Sequence, residues 1–266
     1  MSKVTIGLDI AKSVFHLVFM NQSGRVLRKK KLRRHQMLSY FSQLEPCIVV
    51  MEACGSCHYW CRELTKAGHE VKAIAPQYVV AYRKGNKHDY NDAEAIAEAS
   101  QREGMRFVPF KSQDQQDIQL MHRIRERMIA QQTALSNQIR GLLSEYGIVY
   151  ARGVATLVKE LPLTLEEADN GLSMLARRQF QGLLNDLREL REHIKEMDKE
   201  LKAFSQSQPV CERLMSMTGI GPLIATALYA GIGQGQAFNS GRHLAAWLGV
   251  VPKQHTTGDN PRLLGI

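Results

Sequence analysis

The stretch Val4-Thr-Ile-Gly-Leu-Asp-Ile-Ala-Lys12 is an apolar, β-branched run in which an acid, Asp9, follows the apolar residues. Such a run predicts a buried strand, and an acid at its end lies where the strand reaches the protein surface. Cys47-Ile-Val-Val-Met51 repeats the pattern, with Glu52 as the acid that follows it. The two stretches therefore predict a sheet that holds carboxylates rigidly in front of a substrate.

The segments after the first strand predict an antiparallel meander. Residues 14–20 form a second apolar run, and Asn21-Gln-Ser-Gly24 supplies turn residues before a third strand. That third strand is strongly basic over ten residues, with Arg25, Arg28, Lys29, Lys30, Lys31, Arg33 and Arg34. Two interpretations remain open: a solvated edge strand that resists aggregation, or a surface that contacts phosphates.

A parallel crossover unit is predicted next. Residues 47–51 and 70–75 are strand-like, and the segment between them, at 58–67, is helical in pattern. The functional groups of such a unit gather at the carboxyl ends of its strands. We therefore expect a mixed α/β sheet in which Asp9 and Glu52 meet.

Asp89 and Asp92 lie three residues apart at the start of an alanine-rich predicted helix. Both carboxylates can therefore lie on one face of its first turn. Acids at a helix N-terminus also stabilise the helix dipole, and this alone explains one of the two. Arg83, Lys84 and Lys87 precede the pair, a combination that suits a site for both metal and phosphate.

Two long amphipathic helices are predicted further along the chain. Apolar residues recur at helical spacing over 113–145 and again over 172–204, and the first of these helices has a basic outer face. Apolar faces of this kind usually pack against each other, either in an antiparallel helical hairpin or in a dimer. Leu161-Pro-Leu-Thr-Leu-Glu166 is interpreted as a connector between them.

Thr218-Gly-Ile-Gly-Pro222, between two predicted helices, is typical of a helix-hairpin-helix. Gly219 and Gly221 would let backbone N–H groups approach a phosphate closely without reading bases. Another helix is predicted within 238–249, followed by a loop rich in hydroxyls and glycine. The predicted domains are 1–112 (metal-binding), 113–206 (coiled coil) and 207–266 (small, α-helical).

The composition is that of a folded, basic protein. With 266 residues and 44% hydrophobic content, the chain can bury a core, which excludes collagen-like and disordered classes. A net charge of +9 makes a polyanion the first partner to test. Neither a membrane span of about 20 apolar residues nor a signal peptide is recognisable, so we expect a cytoplasmic protein without a membrane partner.

Five cysteines in such a context indicate free thiols. Cys54, Cys57 and Cys61, together with His58, have part of a zinc-site spacing. A second cysteine pair is missing, and these residues open a predicted helix, so a zinc site is disfavoured.

Five motifs occur together and in one order. They are Gly7-Leu-Asp-Ile-Ala-Lys12, Met51-Glu-Ala-Cys-Gly-Ser56, Lys87-His-Asp-Tyr-Asn-Asp-Ala93, Thr218-Gly-Ile-Gly-Pro222 and Leu244-Ala-Ala-Trp-Leu-Gly-Val-Val-Pro252. Over essentially the whole chain this combination resembles the DEDD insertion-sequence transposases, the group that includes the Piv-type DNA invertases. The resemblance implies a RuvC-like, RNase H-type domain, a coiled-coil insertion and a C-terminal transposase domain.

The resemblance also implies a metal site and partners. By motif match, Asp9, Glu52, Asp89 and Asp92 bind divalent metal. Four carboxylates this close repel one another unless cations enter, so Mg²⁺ or Mn²⁺ is the expected cofactor. DNA, a structured guide RNA and a second copy of the chain, in a dimer or tetramer, are the implied partners. The candidate nucleic-acid contacts are Lys29, Lys30, Arg33, Arg34, Arg83, Lys84, Lys87, Gly219 and Gly221.

The last loop departs from the family pattern. Gln254-His-Thr-Thr-Gly-Asp-Asn260 has Thr256 and Thr257 where the family has a nucleophilic serine, so either threonine is the candidate nucleophile. The extra methyl group of threonine restricts its rotamers. The family continues past this loop with a basic stretch and a further helix, so we expect a truncated, frameshifted or fragmentary copy.

Three functions remain open at this point. The first is a DNA recombinase that joins strands through a threonine hydroxyl and a metal site. The second is a RuvC-like, metal-dependent nuclease that uses water. The third is a nucleic-acid-binding remnant without catalysis.

Overall fold

The computed structural model describes residues 4–84, 88–258 and 260–265. It divides the chain into two compact units, Met1–Ser112 and Gln113–Ile266. Every helix in the described part of the chain is too short or too polar to cross a membrane.

The first unit is built on a six-stranded mixed sheet. Its strands are β1 (Thr5–Asp9), β2 (Val14–Met20), β3 (Val26–Arg33), β4 (Ile48–Glu52), β5 (Glu70–Ile74) and β6 (Phe107–Val108). Their order is β3-β2-β1-β4-β5-β6; β1, β4 and β5 are parallel neighbours, and the other pairs are antiparallel. The predicted meander, crossover unit and mixed α/β class are confirmed. The edge strand β6 was not predicted, because two residues carry no recognisable alternation.

Helices cover both faces of this sheet. They are α1 (Met37–Ser42), α2 (Cys57–Lys66), α3 (Pro76–Val79) and α4 (Asp89–Ser100). On one face, Phe41 of α1 and Trp60 of α2 share a core with Phe15 of β2. On the other face, Ile96 of α4 packs with Val50 of β4. The apolar strands are therefore buried on both sides, as their continuous apolar sequences predict.

The helix α4 lies against β1 at Gly7. A Cβ atom at Gly7 would lie 2.0 Å from the carbonyl oxygen of Ala93 and 2.8 Å from the Cβ of Ala97. Only a glycine in β1 opposite alanines in α4 permits this approach. The contact holds the first turn of α4 close to the carboxyl end of β1.

The second unit is mainly helical. Its elements are α5 (Gln113–Ser144), α6 (Val154–Glu166), α7 (Met174–Ser207), α8 (Pro209–Met215), α9 (Pro222–Ile232), α10 (Gly241–Trp247), β7 (Gln254–Thr257) and β8 (Asn260–Leu263). The two long predicted helices are present as α5 and α7, which pack on each other. Ile139 and Leu187 belong to their shared core, and Arg125 of α5 forms an ion pair with Asp198 of α7.

The segment predicted as a connector, residues 161–166, lies within α6 instead. Pro162 is inside the helix and cannot donate a backbone hydrogen bond there. Leu157 and Leu161 are fully buried in the core shared with α5 and α7. Burial of this apolar face outweighs the cost of the proline, which sequence reasoning on Pro162 alone did not anticipate.

The loop predicted at residues 254–260 is also different in the structure. Gln254–Thr257 forms β7, which pairs antiparallel with β8. Two adjacent β-branched residues, Thr256 and Thr257, favour extended backbone, and Gly258 follows with a φ of 63°. The candidate nucleophiles therefore lie at the end of a strand in a hairpin.

Each unit contains one of the two tryptophans. Trp60 in α2 is 2% exposed, with its ring edge-to-face against Phe15. Trp247 in α10 is 57% exposed and contacts Phe238. The two indoles therefore have opposite environments.

Candidate metal centre

A row of polar residues crosses the sheet at the end of β1. In the antiparallel register, Asp9 of β1 lies opposite His16 of β2, and His16 lies opposite Lys31 of β3. Leu8 and Phe15, their neighbours in sequence, are buried in the core on the α1 and α2 side. Because side chains alternate between the faces of a strand, the row lies on the face that α4 covers.

Asp89 joins this row from the start of α4. The His88 ring caps the helix by accepting a hydrogen bond from the Tyr90 N–H at 3.2 Å. One ligand atom from each of Asp9, His16 and Asp89 lies within 4.8 Å of the other two. Among the side chains that the structure describes, this is the one group of three or more His, Cys, Asp or Glu residues placed this closely. Such a group can hold a divalent cation.

His16 was missed by sequence reasoning. It is 7% exposed, its Nδ1 lies 3.4 Å from Asp89 Oδ2, and that nitrogen has no hydrogen-bond partner among the described atoms. Burial lowers the pKa of His16; the Asp89 carboxylate opposes this shift, while the charges of Lys31 and His88 add to it. The available signal was a single polar residue in an otherwise apolar strand, Val14–Met20.

Glu52 ends β4 beside Asp9. The parallel register pairs Leu8 with Met51, so the two acids follow paired residues on adjacent strands. Glu52 is not part of the group of three. Glu52 does affect a neighbouring thiol. The pKa of Cys54 is raised to about 11, mainly by burial and further by the charges of Glu52, Cys57 and Asp9.

Asp92 is placed on α4 as predicted, but it has a protein partner. Its carboxylate is buried, with 7% of the residue exposed, and it forms an ion pair with the Arg83 guanidinium. A buried charge of this kind is stable only while it is paired. In this arrangement Asp92 stands outside the group formed by Asp9, His16 and Asp89.

Several of the predicted phosphate contacts are paired with acids of α4. Lys29 binds Glu94 at 2.9 Å, and Lys84 binds Glu98 at 2.7 Å. The hydrogen bond to Glu98 raises the pKa of Lys84. Lys87 lies outside the described residues.

The other predicted cations of this region lie against aromatic rings or in solvent. The Lys30 ammonium is 4.1 Å from the Tyr40 ring centroid, and the Arg34 guanidinium is 5.3 Å from that of Trp60. Arg33 is exposed. Lys30 and Arg34 thus give a basic surface on the α1 and α2 side of the sheet.

The segment predicted as a helix-hairpin-helix turn joins α8 to α9, which contact each other. Residues Met215–Gly221 line a shallow depression, Gly219 has a φ of 91°, and Gly221 is the N-cap of α9. A Cβ atom at either glycine would meet nothing within 4 Å. The space beside both glycines is therefore open where a side chain would lie.

Thr256 is exposed in β7, in the second compact unit, and Thr257 pairs with Asn260 through the backbone. The side chain of Thr257 lies outside the described part of the chain. All five cysteines are free thiols, which confirms the expectation from composition. His58 accepts a hydrogen bond from the Lys111 N–H at 3.2 Å, and Cys57 and Cys61 contact each other at 3.7 Å.

A mixed sheet with acids at the ends of adjacent parallel strands, joined by acids at the start of a helix, is consistent with an RNase H-like DEDD transposase domain. A family model described as a transposase, of the DEDD type, matches residues 6–148. A second model, described as the IS116/IS110/IS902 transposase family, matches residues 211–266. The chain belongs to this family, whose members are enzymes that cut and rejoin DNA.

Several relatives match nearly the whole chain. A probable family 20 transposase of Pseudomonas aeruginosa is 43% identical over 97% of this chain and 77% of its own length. The transposase for insertion sequence element IS1111A of Coxiella burnetii is 42% identical over 98% of this chain and 72% of its own. A pilin gene-inverting protein of Moraxella bovis is 25% identical over 97% of this chain and 75% of its own.

Proposed function

We propose that this chain is a DNA recombinase that cuts and rejoins strands at a divalent metal site formed by Asp9, Glu52, Asp89 and Asp92. The observation that carries the proposal is the convergence of Asp9 and Asp89, from different elements, on one group of ligand atoms. Glu52 ends the strand paired with β1, and Asp92 lies one helical turn from Asp89. Mg²⁺ or Mn²⁺ is the proposed cofactor.

The donor set fits such an ion. Carboxylate oxygens are the ligands that Mg²⁺ and Mn²⁺ prefer, and the buried Nδ1 of His16 finds no hydrogen-bond partner among the described atoms. When bound, the ion would polarise the scissile phosphate and stabilise the leaving oxygen. Asp9 and Asp89 would hold it from opposite elements, so the sheet and α4 together orient the phosphate.

Asp92 can bind a cation only if Arg83 releases it. We assign Arg83 two partners: Asp92 in the metal-free protein and a nucleic-acid phosphate once Asp92 binds metal. Both partners are anionic oxygens, for which the planar guanidinium is well suited. The exchange would keep a charge partner for Asp92 throughout.

The proposed nucleophile is the hydroxyl of Thr256 or Thr257. Its oxygen would bond to phosphorus and displace a DNA hydroxyl, leaving the DNA joined to the enzyme until a second strand attacks. Secondary hydroxyls attack more slowly than primary ones when the methyl group obstructs the in-line path. The candidate positions lie at the end of β7, whose backbone pairs with β8.

The remaining contacts are proposed for DNA and a structured guide RNA. The cations are Lys29, Lys30, Arg33, Arg34, Arg83, Lys84 and Lys87, and the hairpin glycines are Gly219 and Gly221. Support comes from the basic surface along β3 and from the open backbone of the hairpin. We further propose that α5 and α7 form a coiled-coil insertion and that two or four copies assemble to hold two DNA segments.

The test is a DNA-trapping assay with the full chain and Mg²⁺. A covalent DNA adduct is expected for the unmodified protein, and neither Asp9→Asn nor the double variant Thr256→Ala, Thr257→Ala should form it. Thr133→Ala, which removes an exposed hydroxyl of the second unit, is the matched control and should trap normally.

Other outcomes would select the alternatives. Cleavage that survives the double threonine change but is lost in Asp9→Asn identifies a nuclease that uses water. Salt-dependent binding of structured RNA, with no product at any Mg²⁺ or Mn²⁺ concentration, identifies a binding protein without catalysis.

A further inference from the structure

We propose that His16 is a direct ligand of the metal ion at this site, through Nδ1, so that the centre contains one nitrogen donor among its carboxylates. The inference rests on the proposed metal site and adds a residue to it. It predicts which ion the site prefers. The inference about His16 can be wrong even if the four acids do bind metal.

The first support is position. The β1–β2 register fixes His16 directly opposite Asp9, on the sheet face that α4 covers. The ring therefore lies between a strand acid and the helix acid Asp89, whose Oδ2 is 3.4 Å from Nδ1. No loop movement is needed to bring the nitrogen to the site, since it is carried by a central strand.

The second support is the spacing of the donor atoms. Ligands at about 2.0–2.6 Å from one ion lie roughly 3 Å apart when adjacent and about 4–5 Å apart when opposite. The ligand atoms of Asp9, His16 and Asp89 all lie within 4.8 Å of one another. A single ion can therefore reach all three with small rotations of the side chains.

The third support is an unsatisfied polar atom. His16 is 7% exposed, and its Nδ1 makes no hydrogen bond among the described atoms, although the Asp89 carboxylate lies 3.4 Å away at ion-pair distance. Buried polar atoms are nearly always paired, and an unpaired one calls for an explanation such as an ion. A cation held by Asp9 and Asp89 supplies the missing partner.

Packing explains only part of this arrangement. The imidazole ring lies edge-to-face against Tyr90, with centroids 4.7 Å apart, and a phenyl ring would keep that contact. It would offer no nitrogen to a cation held by Asp9 and Asp89. The substitution His16→Phe therefore separates packing from coordination.

The chemical consequence is a change in metal preference. Mg²⁺ favours oxygen ligands, whereas imidazole nitrogen binds first-row transition ions more strongly. Coordination by His16 should therefore increase the affinity of the site for Mn²⁺ more than its affinity for Mg²⁺. Removing the His16 nitrogen should therefore lower the Mn²⁺ affinity more than the Mg²⁺ affinity.

The experiment measures metal binding by the full-length, metal-free chain without DNA. Pulsed EPR of bound Mn²⁺ is expected to show coupling to a nitrogen nucleus, and this coupling should vanish in His16→Phe. Calorimetric titration should show Mn²⁺ affinity falling by about tenfold or more in that variant, and Mg²⁺ affinity by less than about threefold.

His88→Asn is the matched control. It removes the next histidine, one residue before Asp89, and keeps a side chain that can cap α4. The nitrogen coupling and the Mn²⁺ affinity should both be unchanged. If His16→Phe does not fold, the spectra of the unmodified chain and of His88→Asn still test whether His16 is the ligand. The nitrogen coupling must be present in both.

Two results would overturn the inference. In the first, Mn²⁺ bound to the unmodified chain shows no nitrogen coupling, while Asp9→Asn abolishes Mn²⁺ binding. This result rejects His16 as a ligand and leaves the acid site intact. Mn²⁺ binding that is unchanged in both Asp9→Asn and Asp89→Asn rejects the acid site itself, and His16 with it.

Discussion

Gly7 controls the distance between β1 and α4, and therefore the distance between the acids that each carries. We expect Gly7→Ala to destabilise the first unit by about 3 kcal/mol or more, because the new Cβ would lie 2.0 Å from a backbone oxygen that cannot move alone. Urea unfolding measures this loss. Gly55→Ala, where a Cβ would meet nothing within 4 Å, is the control and should change stability little.

The pair Arg83 and Asp92 gives a second prediction at the same scale. Arg83→Ala leaves a buried carboxylate without its partner and should cost about 2 kcal/mol in metal-free protein, less than for a fully buried pair. If Asp92 binds metal, Mg²⁺ should raise the unfolding temperature more in this variant than in the unmodified chain. Lys84→Ala, which removes an exposed partner of Glu98, should show the unmodified Mg²⁺ response. Equal Mg²⁺ responses in all three proteins would exclude Asp92 as a ligand.

At the scale of elements, α6 contains a proline that weakens it. Pro162→Ala should restore a backbone hydrogen bond and stabilise the second unit by about 1–3 kcal/mol. Pro222→Ala is the matched control, since Pro222 is at the start of α9, where a proline costs no hydrogen bond. It should be neutral or slightly destabilising. Thermal unfolding followed by circular dichroism compares the two, and a loss of stability in Pro162→Ala would contradict the argument.

Sequence patterns predicted the elements whose signal is local. The strands β1, β2 and β4 are apolar runs, and α5 and α7 have long apolar stripes, so period and length identify them. The pattern failed where tertiary packing decides: α6 is helical despite Pro162, and the residues around Thr256 pair with a strand that has no apolar alternation. The four acids carry a motif, but His16 does not. Its position next to Asp9 depends on strand register, which one sequence alone does not specify.

At the scale of the whole molecule, the candidate metal site belongs entirely to the first compact unit. A ligand that binds one folded unit stabilises that unit by mass action and leaves an independent unit unchanged. We expect about 10 mM Mg²⁺ to raise the unfolding temperature of the first unit. At a Mg²⁺ concentration 100 times its dissociation constant, the free energy of unfolding rises by roughly 2–3 kcal/mol. Asp9→Asn should abolish the shift. A shift of the second unit alone would contradict the proposed location.

The placement of the two tryptophans makes that measurement possible without a label. The buried indole of Trp60 should emit at shorter wavelength than the exposed indole of Trp247, so each unit has its own fluorescent reporter. Trp247→Phe isolates the signal of the first unit at little cost, because Trp247 is mostly exposed. Subtracting the spectrum of Trp247→Phe from that of the unmodified chain gives the signal of Trp247, which reports on the second unit. Melting both proteins, with and without Mg²⁺, thus shows the order in which the units unfold and which of them the metal stabilises.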